Sequence, residues 1–125
     1  MEKEPKRKIL IIDDNEQDRK IMQSFLSKAG FEEILTAENG EEGLKKVKSE
    51  RLDLVIIDTM LPDTDGFQVC RRIREIYDAT ALKIIIMTGS IDAVDAVEAR
   101  KAGADDYCVK TSDFSSMLEA VEKLI

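Results

Sequence analysis

The 125-residue sequence predicts an α/β fold: a five-stranded parallel sheet, doubly wound, with helices packed on both faces. Three observations lead there. Five short apolar runs recur along the chain, three of them are nearly continuous in Ile, Leu and Val rather than alternating, and helical spacing follows each run. A continuous run is how a strand reads when both faces of its sheet are covered, and parallel strands need crossover helices between them.

The first run, Lys8–Ile12 (KILII), precedes a helical face of Ile21, Met22, Phe25, Leu26 and Ala29, which ends at Gly30, a residue suited to the C′ position. The second, Ile34–Ala37 (ILTA), leads into a weaker helix marked by Leu44 and Val47 among Lys and Glu. The third, Leu52–Ile57 (LDLVII), is followed by Phe67, Val69, Cys70, Ile73 and Ile76. The fourth, Leu82–Met87 (LKIIIM), precedes an Ala-rich helix over Asp92–Ala102, with Val94 and Val97, that stops at Gly103. The fifth, Asp106–Val109 (DYCV), precedes a stripe of Phe114, Met117, Leu118, Val121, Leu124 and Ile125, with Ser112 or Asp113 as the expected cap. Such stripes are core faces rather than ligand sites.

Composition narrows the function. Lys and Arg number 19 and Asp and Glu 26, a net charge of −7, and histidine is absent. No Ser-His-Asp or Cys-His centre, no His-ligated metal and no phosphohistidine on this chain is therefore possible. Residues 1–8 sum to +2 and the remainder to −9, so contact with nucleic acid through phosphates alone is not expected. Cys70 and Cys108 form no C-x-x-C pair and read as small buried hydrophobes of a reduced, cytoplasmic protein. No apolar run approaches the ~20 residues of a membrane span. Residues 1–7 are expected to be a flexible leader and 8–125 one domain.

In open α/β sheets the site lies beyond the carboxyl ends of the strands. The first strand is followed by Asp13 and Asp14, the third ends at Asp58, Thr88-Gly89-Ser90 follow the fourth and Lys110 the fifth. The second contributes only Ala37, Glu38 and Asn39, which fits an edge strand. Three carboxylates, a hydroxyl and an ammonium thus share one rim. Clustered carboxylates repel unless a cation lies between them, and oxygen ligands suit Mg²⁺ or a similar divalent ion such as Mn²⁺. Asp58, alone at the end of the central strand, is the expected nucleophile toward a phosphoryl group, while the adjacent Asp13 and Asp14 suit the metal. Lys110 and Thr88 suit the phosphoryl oxygens.

These residues resemble the receiver domain of two-component response regulators, from Lys8 to Ile125. The likeness rests on Ile9-Leu10-Ile11-Ile12-Asp13-Asp14-Asn15, on Asp58 with Met60-Leu61-Pro62 and Asp65-Gly66 behind it, on Thr88-Gly89-Ser90, and on Gly103-Ala104-Asp105-Asp106-Tyr107 leading to Lys110. The resemblance implies a flavodoxin-like (βα)5 sandwich, as in single-domain chemotaxis regulators. It implies that Asp58 accepts phosphate from a histidine kinase or phosphotransfer protein, and that the Met60 backbone carbonyl joins Asp13, Asp14 and Asp58 around Mg²⁺. It further implies a switch in which Thr88 moves toward the phosphate, Tyr107 turns inward, and the face of the fourth helix, fifth strand and fifth helix changes for a downstream protein. Such a protein catalyses its own phosphorylation and dephosphorylation without turning over a separate substrate.

One departure matters: the family's Lys is usually followed by a cis Pro, and here Thr111 follows Lys110. A cis bond before Thr costs ~3 kcal/mol or more, so either the bond is trans and the loop reshaped, or strain is held there. Met60 and Ser90 offer no acid or amide to orient water, which predicts slow self-hydrolysis. Singly, Asp13-Asp14 serve as well for an N-cap pair and Lys110 for a solvated charge; their conjunction favours the receiver over a phosphate-independent pseudo-receiver. The Walker pattern is absent, and Asp63-Thr64-Asp65-Gly66 fails as a calcium loop because Leu61 and Arg72 fall at its ligand positions 1 and 12. Ending after the fifth helix, the chain is expected to be a stand-alone receiver or a piece of a larger protein.

Overall fold

The structure, a computed structural model, describes residues 6–89 and 93–125, the side chains of 93 and 94 excepted. Most of the expected leader, Ser90, Asp92 and the Val94 side chain therefore lie outside the described residues. Strands and helices alternate as β1 (Lys8–Ile12), α1 (Glu16–Lys28), β2 (Glu33–Ala37), α2 (Gly40–Ser49), β3 (Leu54–Asp58), α3 (Gly66–Ile76), β4 (Lys83–Thr88), α4 (Ala93–Ala102), β5 (Asp106–Val109) and α5 (Ser115–Leu124). The sheet order is β2-β1-β3-β4-β5 and every pairing is parallel.

Alternate residues of each strand supply two cores. Ile9, Ile11, Leu54, Ile56, Ile85 and Met87 pack with Met22 and Leu26 of α1 and Met117 and Val121 of α5. On the other face Leu10, Ile12, Val55, Ile57, Ile84 and Ile86 pack with Val47 of α2, Val69 and Ile73 of α3, and Ala99 of α4. Covering both faces is why β1, β3 and β4 are unbroken apolar runs. No helix among the described residues is long and apolar enough to cross a membrane.

Helix ends follow local chemistry. The side chains of Asn15, Asn39 and Asp65 accept hydrogen bonds from the backbone N–H of Asp18, Glu42 and Gln68, capping α1, α2 and α3. Gly30 and Gly103, with φ of +103° and +100°, take the left-handed conformation just past α1 and α4.

Two expectations need correction. The third and fourth strands begin later than their apolar runs; β3 ends at Asp58 as expected, while β4 runs one residue past its run and Thr88 is its last residue. The start of the fourth helix, expected at Asp92, lies outside the described residues, and α4 is described from Ala93. Neither Ser112 nor Asp113 is the N-cap of α5: Phe114 holds that position in the left-handed region (φ 51°) with no side-chain cap bond. Its ring is buried against Phe25, centroids 6.3 Å apart, while Asp113 Oδ1 accepts the Ser115 N–H one residue into the helix. The question at Lys110-Thr111 also has an answer, since no cis peptide bond occurs among the described residues. The loop is instead closed by the Phe114 N–H donating to Thr111 O and by the Thr111 hydroxyl donating to Asp113.

Candidate functional site

The parallel register sets the strand ends side by side. Ile12 lies opposite Ile57, Asp58 opposite Met87, and Thr88 opposite Val109, so the residues just past these pairs share a rim. Asp13 is buried there at 1% exposure. Its N–H donates to Ala37 O, its Oδ1 accepts the Asn15 N–H, and its carbonyl accepts the buried Arg19 guanidinium at 2.8 Å. Asp14, next in sequence, is exposed. Asp58, 9% exposed, closes the group, and one carboxylate oxygen from each of the three lies within 4.8 Å of the others.

Lys110 reaches into this group from the end of β5, where its N–H donates to Thr88 O at 2.7 Å. Its Nζ lies 2.7 Å from Asp13 Oδ2, 2.9 Å from Asp18 Oδ2 and 3.6 Å from Asp58 Oδ1. Burial works against the ammonium's charge, but the contacts with Asp13 and Asp18 and the field of Asp58 outweigh it and raise Lys110 above its ordinary value. Asp58 goes the way expected of a buried acid: desolvation first, then the field of Asp13, push its carboxyl up to about 6 against the pull of Lys110.

The donor set fits a hard divalent cation: three carboxylates, one of them exposed to admit water ligands. Asp13 Oδ2 is buried and receives no well-aligned hydrogen bond among the described residues, its contact with Lys110 being an ion pair. A close approach of backbones shapes the floor: Gly66 N–H donates to Thr59 O, and a Cβ at Gly66 would stand 2.3 Å from the Asp58 carbonyl oxygen.

The remaining expected residues are distributed as follows. Thr88, 5% exposed, ends β4 beside the rim. Met60 presents its side chain to solvent at 78% exposure. Tyr107 is half-buried on the edge strand β5, its hydroxyl buried without a hydrogen-bond partner among the described residues. It lines a cavity of about 190 Å³ with Ala99, Arg100 and Ala104, between α4 and β5. A larger cavity, about 620 Å³, lies by Leu52, Tyr77 and Leu82 near the starts of β3 and β4, at the other end of the sheet from the carboxylates.

Two residues at the site were not expected from the sequence: Asp18, which takes the Lys110 hydrogen bond, and Arg19, which holds the Asp13 carbonyl and pairs with Glu38 at 3.2 Å. The available signal was that α1 begins at the rim. An acidic residue in a first helical turn, however, already has a general explanation in the helix dipole.

Comparison with known proteins agrees with this geometry. A family model described as the response regulator receiver domain matches residues 9–122. The transcriptional regulatory protein AfsQ1 of Streptomyces coelicolor is 42% identical over 102 residues, 82% of this chain and 44% of that protein. GltR of Pseudomonas aeruginosa, also a transcriptional regulatory protein, is 35% identical over 95% of this chain and 49% of its own length. The chain thus spans less than half the length of these curated relatives. Among solved structures, the response regulator TrrA of Thermotoga maritima in complex with Mg²⁺-BeF superposes with a TM-score of 0.86 at 37% identity, covering 95% of this chain and 99% of that one. A CheY-like receiver domain protein of Methanospirillum hungatei gives 0.86 at 30% identity, over 96% and 94% of the two chains.

Proposed function

Because the chain belongs to the response-regulator receiver family of two-component signalling, we propose that it is a phosphorylation-operated switch with Asp58 as the acceptor. The observation that carries this reading is the meeting of Asp58 with Asp13, Asp14 and Lys110 at the carboxyl ends of three strands. An Asp58 carboxylate oxygen attacks the phosphorus of a phosphohistidine on a partner kinase or phosphotransfer protein. An O–P bond forms, the N–P bond breaks, and the imidazole nitrogen leaves with the electron pair. Asp13, Asp14, Asp58 and the Met60 carbonyl hold Mg²⁺ or a similar ion, which when bound neutralises the carboxylates and the incoming oxygens. Lys110 and the Thr88 hydroxyl take the phosphoryl oxygens left over.

Phosphate then biases a two-state equilibrium through contacts that only one state makes. Thr88 shifts toward the phosphoryl group, and Tyr107 settles inward. Its hydroxyl, buried without a hydrogen-bond partner among the described residues, and the adjoining cavity support that path. The α4-β5-α5 face changes with them and controls a downstream protein, not nucleic acid directly. Residues 8–125 form the switch, and the setting is the cytoplasm. The test is intact mass after incubation with a small phosphodonor and Mg²⁺. Wild type gains one phosphoryl group and Asp58→Asn gains none; a gain in both, or in neither, refutes Asp58 as the acceptor.

A further inference from the structure

We propose that Asp18 is a positioning residue that holds the Lys110 ammonium short of Asp58 and so sets how readily the site takes up a phosphoryl group; this rests on Asp58 being the acceptor. Lys110 Nζ donates a hydrogen bond to Asp18 Oδ2 at 2.9 Å, and the contact joins residues 92 positions apart. The nearest oxygen of Asp58 is at 3.6 Å, an ion-pair separation longer than a hydrogen bond. Asp18 is itself held in place, because its backbone N–H donates to the capping side chain of Asn15 in the first turn of α1. The pair is sheltered, with side-chain exposures of 15% for Lys110 and 28% for Asp18.

The consequence follows from counting partners. An ammonium has three N–H donors and no acceptor. In this state the ammonium lies among Asp13, Asp18 and Asp58 and donates a hydrogen bond to Asp18. A cation on Asp13 competes with Lys110 for that carboxylate, whereas Asp18 lies outside the set of three that can share an ion. Asp18 is then the resting partner Lys110 must loosen to reach a phosphoryl oxygen. Its charge favours the unmodified state.

Beryllofluoride, which mimics a phosphoryl group on a carboxylate, tests this without a kinase. Its dissociation constant is measured by calorimetry at saturating Mg²⁺ for the wild type and four variants. Asp18→Asn and Asp18→Ala tighten binding roughly fivefold, the size appropriate to loss of one partly exposed ion pair. Asp18→Glu, which keeps the charge, returns toward wild type. Glu16→Gln, which removes a charge from the same helical turn without touching Lys110, leaves binding unchanged. The proposal is overturned if Asp18→Asn binds as wild type or more weakly, if Asp18→Glu tightens as much as Asp18→Asn, or if Glu16→Gln tightens equally. Failure of the wild type itself to bind refutes the Asp58 reading instead, and this proposal with it. Thermal melts without Mg²⁺ identify any variant that is not folded, in which case the Asn and Glu pair decides.

Discussion

At the scale of single residues, Asp58 couples chemistry to stability. Its carboxyl is raised from 3.8 to about 6, chiefly by burial and then by Asp13, so the fold disfavours the charged form. Protonated in both folded and unfolded chains below pH 3.8, the group then has no effect on stability. Between 3.8 and about 6 the unfolded chain ionises first, and above about 6 the full cost is present, roughly 3 kcal/mol. Asp58→Asn therefore stabilises the metal-free protein by about that amount at pH 7.5 and by only about 0.5 kcal/mol at pH 4. Urea unfolding at the two pH values checks this, and an equal gain at both contradicts it. Residue-scale roles divide sharply in how well the sequence reveals them. Asp13, Asp14, Asp58 and Lys110 are legible because each directly follows or ends an apolar run, and strand ends meet at one rim in this topology. Asp18 is not, because its role depends on which way the first turn of α1 faces and on a partner 92 residues away.

At the scale of elements, the packing of α3 against the end of β3 decides where Asp58 points. Gly66, the first residue of α3, sits so close that an added Cβ would meet the Asp58 carbonyl oxygen at 2.3 Å, and backbone atoms cannot swing aside as a side chain can. Gly66→Ala is expected to destabilise the protein by about 2 kcal/mol through overpacking and to weaken Mg²⁺ binding by displacing Asp58. Gly89, just past β4, has nothing among the described residues within 4 Å of an added Cβ, so Gly89→Ala is its control and should leave both nearly unchanged. Denaturant unfolding and Mg²⁺ titration of the two variants read the difference, and equal effects would remove the steric explanation. Element types were readable from the sequence since hydrophobic period and length separate buried strands from amphipathic helices. The start of α5 was not. A Ser or Asp is the ordinary N-cap, but burial of the Phe114 ring against Phe25 placed the cap one residue later, in a conformation no local preference favours.

For the whole molecule, the two cores and the acidic rim pull in opposite directions. Burying nearly every residue of β1, β3 and β4 on both faces fixes the strand ends rigidly, and with them carboxylates that repel one another. Asp13, Asp18 and Asp58 gather around Lys110, and Asp14 joins Asp13 and Asp58, a concentration of charge within a chain whose net charge is only −7. The stable sheet thus holds a local electrostatic repulsion that a divalent cation would relieve in the folded state and not in the unfolded one. Mg²⁺ at ten times its dissociation constant is expected to add roughly 1.4 kcal/mol, raising the melting temperature by about 5 °C in a domain of this size. The rise should grow with the logarithm of Mg²⁺ concentration, since each further tenfold excess adds the same increment. Sodium chloride of matched ionic strength screens the repulsion without bridging the carboxylates, so it should give a smaller rise. Asp13→Asn removes the buried member of the set, and its melting temperature should follow the salt control rather than the Mg²⁺ curve. A wild-type melt that Mg²⁺ moves no further than sodium chloride does would show that the rim, although built of the right oxygens, does not hold the ion.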